Sequence, residues 1–286
     1  MMLSYHYAFY GLRDELHAVY DDREATAIAH EILLYVTGKD KTERLLNKDE
    51  KLTHGEQQQY DAMKAELLKG KPLQYVLGVA WFMGETYKVN EHVLIPRPET
   101  EELVQWIVDD RESKNKTLSI LDIGTGSGCI PIALKLQLSV ADITSCDISN
   151  EALMVANENA AALGANVIML QIDILDRAQW EQLGKYNVIV SNPPYIPIAE
   201  KEHLDINVRD FEPGTALFVP TDDALLFYRA IAEFGKTHLA DKGKIYCELH
   251  RDYAEKTKVL FDEMGYKDVL LQKDMNGNLR MLRAKL

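Results

Sequence analysis

The sequence predicts an α/β fold: a mostly parallel sheet covered by helices on both faces, joined to a smaller helical N-terminal region. Two patterns lead there. From about residue 118 onward, short apolar runs alternate with stretches of helical spacing, the order of successive strand-helix-strand units. From residue 5 to about 70, in contrast, the pattern is helical throughout. With 286 residues and a hydrophobic content of 47%, the chain can bury a full core and carry a second, smaller domain. No internal repeat or low-complexity segment interrupts either pattern.

Each element has a local reason. Ala25, Ile28, Ala29, Ile32, Leu33 and Val36 form one helical face, which begins after the capping candidates Asp21 and Asp22 and ends at Gly38. A second amphipathic stretch covers residues 56–68, with Gly70 as its expected C-cap. Residues 81–89 alternate about Gly84 like a hairpin and would bridge the two regions. A helix is expected at 99–108, and the polar run 111–116 leads from it into the first sheet strand. Strands are expected at 118–122, 142–147, 167–172, 187–191 and 243–249, with a final pair near 267–273 and 279–284. Asn276-Gly277 favours a tight turn, so the last strand should run antiparallel.

Composition excludes several classes. A net charge of -13 is a poor match for a nucleic acid binder, because neutralising phosphates requires a surplus of Lys and Arg. The three cysteines, Cys129, Cys146 and Cys247, lie in apolar segments without paired spacing, which points to a reducing compartment and structural burial. The N-terminus lacks the apolar run of a secretory or membrane-spanning segment, so a soluble cytoplasmic protein without a membrane partner is expected. His30-Glu31 opens like a zinc-protease helix, but Leu34 stands where the second histidine belongs. Cys247 and His250 would face opposite sides of one strand, and no metal site is expected.

The chemistry concentrates in Ser191-Asn192-Pro193-Pro194-Tyr195, directly after the apolar run 186–190. The prolines have fixed φ and no N–H, so the turn cannot extend the strand and its carbonyls are left to point at a guest. The Asn192 side-chain carbonyl can accept one N–H of a planar nitrogen, and a backbone carbonyl of the turn can accept the other. A proline-stiffened loop is the plain alternative, and a second motif weighs against it. Leu121-Asp122-Ile123-Gly124-Thr125-Gly126-Ser127-Gly128-Cys129-Ile130 follows a strand and precedes a helix, and its alternating glycines let the backbone turn tightly beside a ligand. The third glycine comes one residue too early for a dinucleotide fingerprint. Asp122 would repel a phosphate, yet it could accept hydrogen bonds from an ammonium group. Asp147 ends the second strand where a ribose-binding carboxylate is expected, and Asp173 could accept from an adenine amino group with Ile174 packed on the ring. Each acid alone reads as a helix cap or a solvated turn residue. Together they outline one pocket, because the carboxyl ends of parallel strands converge at the topological switch point.

The Asp-x-Gly-x-Gly-x-Gly loop, the acid after the second strand and the Asn-Pro-Pro-Tyr after the fourth together resemble S-adenosylmethionine-dependent methyltransferases that act on a planar nitrogen. Three further segments are similar to the peptide chain release factor glutamine methyltransferases, the HemK family. They are Pro72-Leu73-Gln74-Tyr75-Val76-Leu77-Gly78, the block Leu94-Ile95-Pro96-Arg97-Pro98-Glu99-Thr100-Glu101, and Val208-Arg209-Asp210-Phe211-Glu212-Pro213 continued by Ala216-Leu217-Phe218. The resemblance covers the chain from about Pro72 to the C-terminus.

That resemblance implies a seven-stranded, mostly parallel Rossmann-like methyltransferase sheet in residues 99–286, a hairpin linker at 79–98 and a helical substrate-recognition domain at 1–78. It implies S-adenosyl-L-methionine as cofactor, held by Asp122, Gly124, Thr125, Gly126, Ser127, Gly128, Asp147, Asp173, Ile174, Asn192, Arg97 and Thr100. Asn192, Pro193 and Tyr195 would be catalytic and, with Pro194, would bind substrate, Tyr195 bordering the methyl group or the flat amide. The implied substrate is the glutamine in the Gly-Gly-Gln loop of class-one release factors, met as a protein partner by a monomeric cytoplasmic enzyme. Two departures stand out. Ile174 replaces the tryptophan of many members, and Glu248-Leu249-His250 differs from the usual Glu-Ile-Gly, which leaves the role of that strand end open. A ribosomal protein glutamine, or less readily an amino group on a nucleic acid base, remains an alternative acceptor. A non-catalytic binding protein is disfavoured by the intact Asn192 and glycine loop.

Overall fold

The computed structural model describes residues 2–111 and 117–286, and the expected polar run lies outside the described residues except for Arg111. In chain order the first elements are α1 (Tyr5–Leu16), α2 (Asp22–Thr37), α3 (Lys41–Leu46), α4 (His54–Leu67), α5 (Leu73–Leu77), β1 (Val79–Phe82), β2 (Glu85–Lys88), α6 (Pro98–Asp109), β3 (Ser119–Ile123), α7 (Cys129–Gln137), β4 (Asp142–Asp147) and α8 (Asn150–Ala162). They are followed by β5 (Ile168–Gln171), β6 (Tyr186–Ser191), β7 (Ile196–Pro197), α9 (Ile206–Arg209), α10 (Gly214–Leu217), β8 (Phe218–Val219), α11 (Leu226–His238), β9 (Leu239–Glu248), α12 (Ala254–Glu263), β10 (Lys267–Lys273) and β11 (Leu279–Lys285). The chain divides into two compact units, Met1–Gly78 with Asp205–Phe211, and Val79–Leu204 with Glu212–Leu286.

The first unit is helical. Asp21 caps α2 by accepting from the Glu24 N–H at 2.8 Å, and Gly38 ends it at φ +66°, where a side chain would be strained. Its apolar face packs with Ala8, Leu12 and Leu16 of α1 and Leu67 of α4, and the buried Tyr60 hydroxyl donates to the Ala8 carbonyl at 2.8 Å. The end of α4 differs from expectation. Leu68, not Gly70, is the C-cap, because the chain tightens into successive three-residue turns there and the glycine falls two residues later.

The second unit is built on a seven-stranded sheet in the order β10-β11-β9-β6-β3-β4-β5. β9, β6, β3, β4 and β5 pair in parallel, and β11 inserts antiparallel between β9 and β10. Both faces are buried, as the long apolar strands require. Ile120, Val188, Val190 and Tyr246 enter one core with Leu103, Val104 and Ile107 of α6, while Leu121, Ile189, Ile245 and Cys247 enter the other with Tyr228, Ile231 and Phe234 of α11. β9 starts four residues earlier than expected. Leu239 pairs with Tyr186 before a register shift carries Val188 onto Lys244, so the polar Asp241-Lys242-Gly243 is an irregularity inside the strand rather than the turn preceding it.

β1 and β2 form the expected hairpin, with Met83 and Gly84 both left-handed at the turn. Its Phe82 and Tyr87 rings belong to the core under α6. Asn159 of α8 ties it to the glycine loop: its carbonyl oxygen accepts from the Lys88 N–H at 2.7 Å, and its amide nitrogen donates to the carbonyls of Lys88 at 3.0 Å and Ser127 at 2.8 Å. Replacing Asn159 by Ala should lower the unfolding free energy by about 2 to 4 kcal/mol, since buried backbone groups lose their partners. Urea denaturation measures this, and a loss below about 0.5 kcal/mol would show that the strut carries no weight.

Candidate active site

The order of formation of the sheet leaves a crevice. The chain runs outward from β3 to β4 and β5, then returns to β6 on the other side of β3, so the strand order reverses between β3 and β6. Register places Ile123 beside Ser191, and the Ser191 hydroxyl donates to the Ile123 carbonyl at 2.7 Å. The glycine loop and the Asn-Pro-Pro turn therefore leave the sheet side by side. A cavity opens above them, lined by Arg97, Thr100, Gly124, Thr125, Gly126, Ser127, Asp147, Asp173, Ile174, Asn192, Pro193 and Pro194. Three of the expected site residues, Asp122, Gly128 and Tyr195, lie outside that lining.

The loop is held by β4. Gly124 and Thr125 donate their N–H groups to the Cys146 carbonyl at 2.8 and 3.1 Å, and Gly126 donates to Asp147 Oδ2 at 2.9 Å. Ser149 N–H takes Asp147 Oδ1 at 2.9 Å, so each carboxylate oxygen keeps a lone pair for a hydroxyl in the cavity. Burial raises the pKa of Asp147, against the pull of these amides. Gly128 has another task. A Cβ there would stand 2.9 Å from Ile132 Cδ1 and 3.1 Å from Ala156 Cβ, so this glycine lets α7 and α8 approach each other.

Asp122 stands beneath the loop and is fully buried. Ser145 Oγ donates to its Oδ2 at 2.6 Å, while among the described residues Oδ1 has no hydrogen-bond partner, and neither do the hydroxyls of Thr125 and Ser127 in the lining. Its full burial beneath the loop keeps Asp122 out of the cavity lining. Asp173 accepts from the Leu175 N–H at 2.9 Å through Oδ1, and Ile174 is buried against the same wall.

The other wall carries an amide. Asn192 Nδ2 donates to Thr100 Oγ1 at 3.2 Å, and the Thr100 hydroxyl donates to Glu248 Oε2 at 2.6 Å. Tyr195 turns away from the cavity and donates to Glu248 Oε1 at 3.3 Å, with its ring against the core and the His250 ring. Arg97 pairs with the buried Glu212, which also accepts from the Ile95 N–H at 3.3 Å. Glu248 and Glu212 stand in the quoted segments without a site role, and the cavity-lining Phe227 is not among the expected residues. An acid ending the apolar run of β9 is the same signal that marked Asp147, and it could have found Glu248.

His250 follows β9 instead of sharing it with Cys247, and its Nδ1 accepts from the Asp252 N–H at 3.2 Å. The three cysteines are free and buried, and among the described residues no group of three His, Cys, Asp or Glu could hold a metal ion. No helix among them is long and apolar enough to cross a membrane.

Burial pushes the Asp122 carboxyl up to about 7, with Ser145 pulling the other way. Its folded value therefore lies above its unfolded one, and between the ordinary Asp range and about 7 the folded state holds a proton that the unfolded chain releases. Stability from this group is present at low pH and lost as pH rises. Asp122→Asn should thus gain stability over wild type progressively from about pH 4 to 7. Thermal unfolding across that range measures the difference, and a gap that stays constant with pH would contradict it.

Residues 12–78 match the PrmC N-terminal domain and residues 100–211 the methyltransferase small domain. The release factor glutamine methyltransferase of Flavobacterium psychrophilum is 38% identical over 94% of this chain and 94% of its own. That of Bacteroides thetaiotaomicron is 39% identical over 96% and 97%. Among solved structures, a methyltransferase from Pyrococcus furiosus superposes with a TM-score of 0.52 at 17% identity over 79% of this chain and 98% of that one, a likeness of fold. Identity at this level, running almost from end to end, means that the chain belongs to the family of release factor glutamine methyltransferases.

Proposed function

We propose that this enzyme transfers a methyl group from S-adenosyl-L-methionine to the side-chain amide nitrogen of the glutamine in the Gly-Gly-Gln motif of class-one release factors, modulating translation termination in the cytoplasm. One observation carries the reading. Asn192 spends its amide nitrogen on Thr100, which leaves its carbonyl oxygen as an acceptor in a cavity shared with the glycine loop and Asp147.

The residues present suit the cofactor. Unpartnered Thr125 and Ser127 hydroxyls, the orphaned Asp122 Oδ1 beneath them and the spare lone pairs of Asp147 together favour a ligand with a cationic end and hydroxyls. Asp147 would hold the ribose, Asp173 and Ile174 the adenine, and the loop with Arg97 and Thr100 the amino acid end. When bound, S-adenosylmethionine supplies an electrophilic methyl carbon on a positively charged sulfur.

An amide nitrogen is a weak nucleophile because its lone pair is delocalised into the carbonyl. Asn192 Oδ1 and the Pro193 carbonyl would accept its two N–H groups and favour the pyramidal, more basic form. The proton grows acidic only as the methyl arrives and can then leave to water. Positioning and acceptors aimed at the developing charge supply most of the acceleration. Tyr195, turned toward Glu248, acts on this turn from behind. The helical unit is the proposed reader of the folded protein substrate.

Asn192→Ala should cut kcat on release factor by about 100-fold or more while cofactor affinity changes little. Normal turnover would remove Asn192 from the reaction. Asp147→Ala should instead weaken S-adenosylmethionine binding by about 1.5 to 3 kcal/mol, read by calorimetry. Unchanged affinity would rule out the ribose role. Labelled cofactor offered with release factor, ribosomes and DNA in parallel should label the release factor alone, and label on another acceptor would replace the substrate named here.

A further inference from the structure

We propose that Glu248 is a positioning residue that decides which end of the Asn192 carboxamide faces the substrate, acting through the single proton of Thr100. The inference rests on the reading above, in which Asn192 accepts from the substrate amide.

An ionised carboxylate only accepts hydrogen bonds, and both oxygens of Glu248 are taken by hydroxyls, Thr100 at 2.6 Å and Tyr195 at 3.3 Å. Thr100 has one proton, and it is committed to Glu248. Toward Asn192 the Thr100 oxygen can therefore act only as an acceptor, and only Nδ2 can pair with it, as found at 3.2 Å. A flipped amide would set two oxygens against each other with no hydrogen between them. Without the carboxylate that bias disappears. Thr100 could turn its proton onto Asn192 Oδ1, and the amide would present N–H groups to an incoming N–H donor.

The surroundings of Glu248 suit this role. It is 1% exposed at the end of β9, and among the described residues it forms no ion pair with Lys or Arg. A buried carboxylate without a cation in contact is costly, and of the two side-chain hydroxyls that satisfy it one, Thr100, lines the cavity and the other, Tyr195, belongs to the turn that carries Asn192. Arg280 from β11 lies near and favours its charge, Glu99 from α6 opposes it, and the Tyr228 hydroxyl on α11 is bonded to the Glu248 backbone carbonyl at 3.1 Å. Cys129 of α7 also feels its charge. Burial raises its pKa, so protonation on the acid side would put a donor on Glu248 and release the Thr100 proton.

The test compares Glu248→Leu, Glu248→Gln, Thr100→Val and Thr100→Ser in the full chain, with kcat on release factor, cofactor Kd by calorimetry and the pH profile of kcat as readouts. Glu248→Leu and Thr100→Val should each lose about 100-fold in kcat, while cofactor Kd stays within about threefold in Glu248→Leu, whose side chain lies outside the cavity lining. Thr100→Ser keeps a hydroxyl at its position and should recover to within about tenfold of wild type, whereas Glu248→Gln carries a donor like the protonated acid and should share the low kcat of wild type at acid pH. The acid-side fall of wild-type kcat should vanish in Glu248→Gln, which cannot titrate. Full kcat in Thr100→Val, a loss explained by cofactor Kd alone, or an acid limb that persists in Glu248→Gln would each overturn the proposal. Thr100→Val keeps the shape of threonine, so it carries the test if Glu248→Leu does not fold. A wild type that leaves release factor unmethylated would instead defeat the underlying reading, and the same assay shows this before any variant is compared.

Discussion

The parallel register of β3 and β6, which sets Ile123 beside Ser191, is the constraint on which the rest of the site depends. Parallel strands end on the same side of a sheet, and a reversal of strand order opens a gap between the connections that follow them. Here one connection is stiffened by two prolines and the other is loosened by glycines, so a rigid acceptor meets a backbone that a ligand can approach. A shift of one residue between these strands would send the Asn192 side chain to the opposite face. The Ser191 hydroxyl on the Ile123 carbonyl pins the register where it matters.

Around that gap the protein has buried four carboxylates, Asp122, Asp147, Glu212 and Glu248, and burial raises the pKa of each. Among the described residues only Glu212 has a cation in contact, Arg97. Such a concentration of unneutralised acids costs stability and is offset elsewhere by two apolar cores that line both faces of the sheet. A ligand with a positive charge relieves the field of these groups, whereas a phosphate would add to it. The overall charge of -13 carries none of this information, because the decisive acids are buried rather than spread over the surface.

What the sequence revealed follows from what is local. The helix α2 was legible at both ends because Asp21 and Gly38 act on their immediate neighbours. The sheet strands were legible because burial on both faces leaves continuous apolar runs, and β9 misled only where a polar irregularity imitates a turn. The lining residues were legible in so far as strand ends converge. Orientation was not. Tyr195 and Asp122 are in the right segments, yet which way each side chain turns depends on partners 53 and 23 residues away. Thr100 and Glu248 are 148 residues apart and meet only once α6 packs against the sheet, so no local pattern could pair them. The packing of Gly128 against Ala156 was not legible either, because Ala156 lies on a different helix.

A crystal structure of the enzyme with a release factor and the demethylated cofactor tests the central claim most directly. The glutamine side-chain nitrogen should lie about 3 Å from both Asn192 Oδ1 and the Pro193 carbonyl oxygen, with Asn192 Nδ2 still on Thr100. A glutamine seated away from this turn, or an Asn192 whose nitrogen faces the substrate, would contradict it.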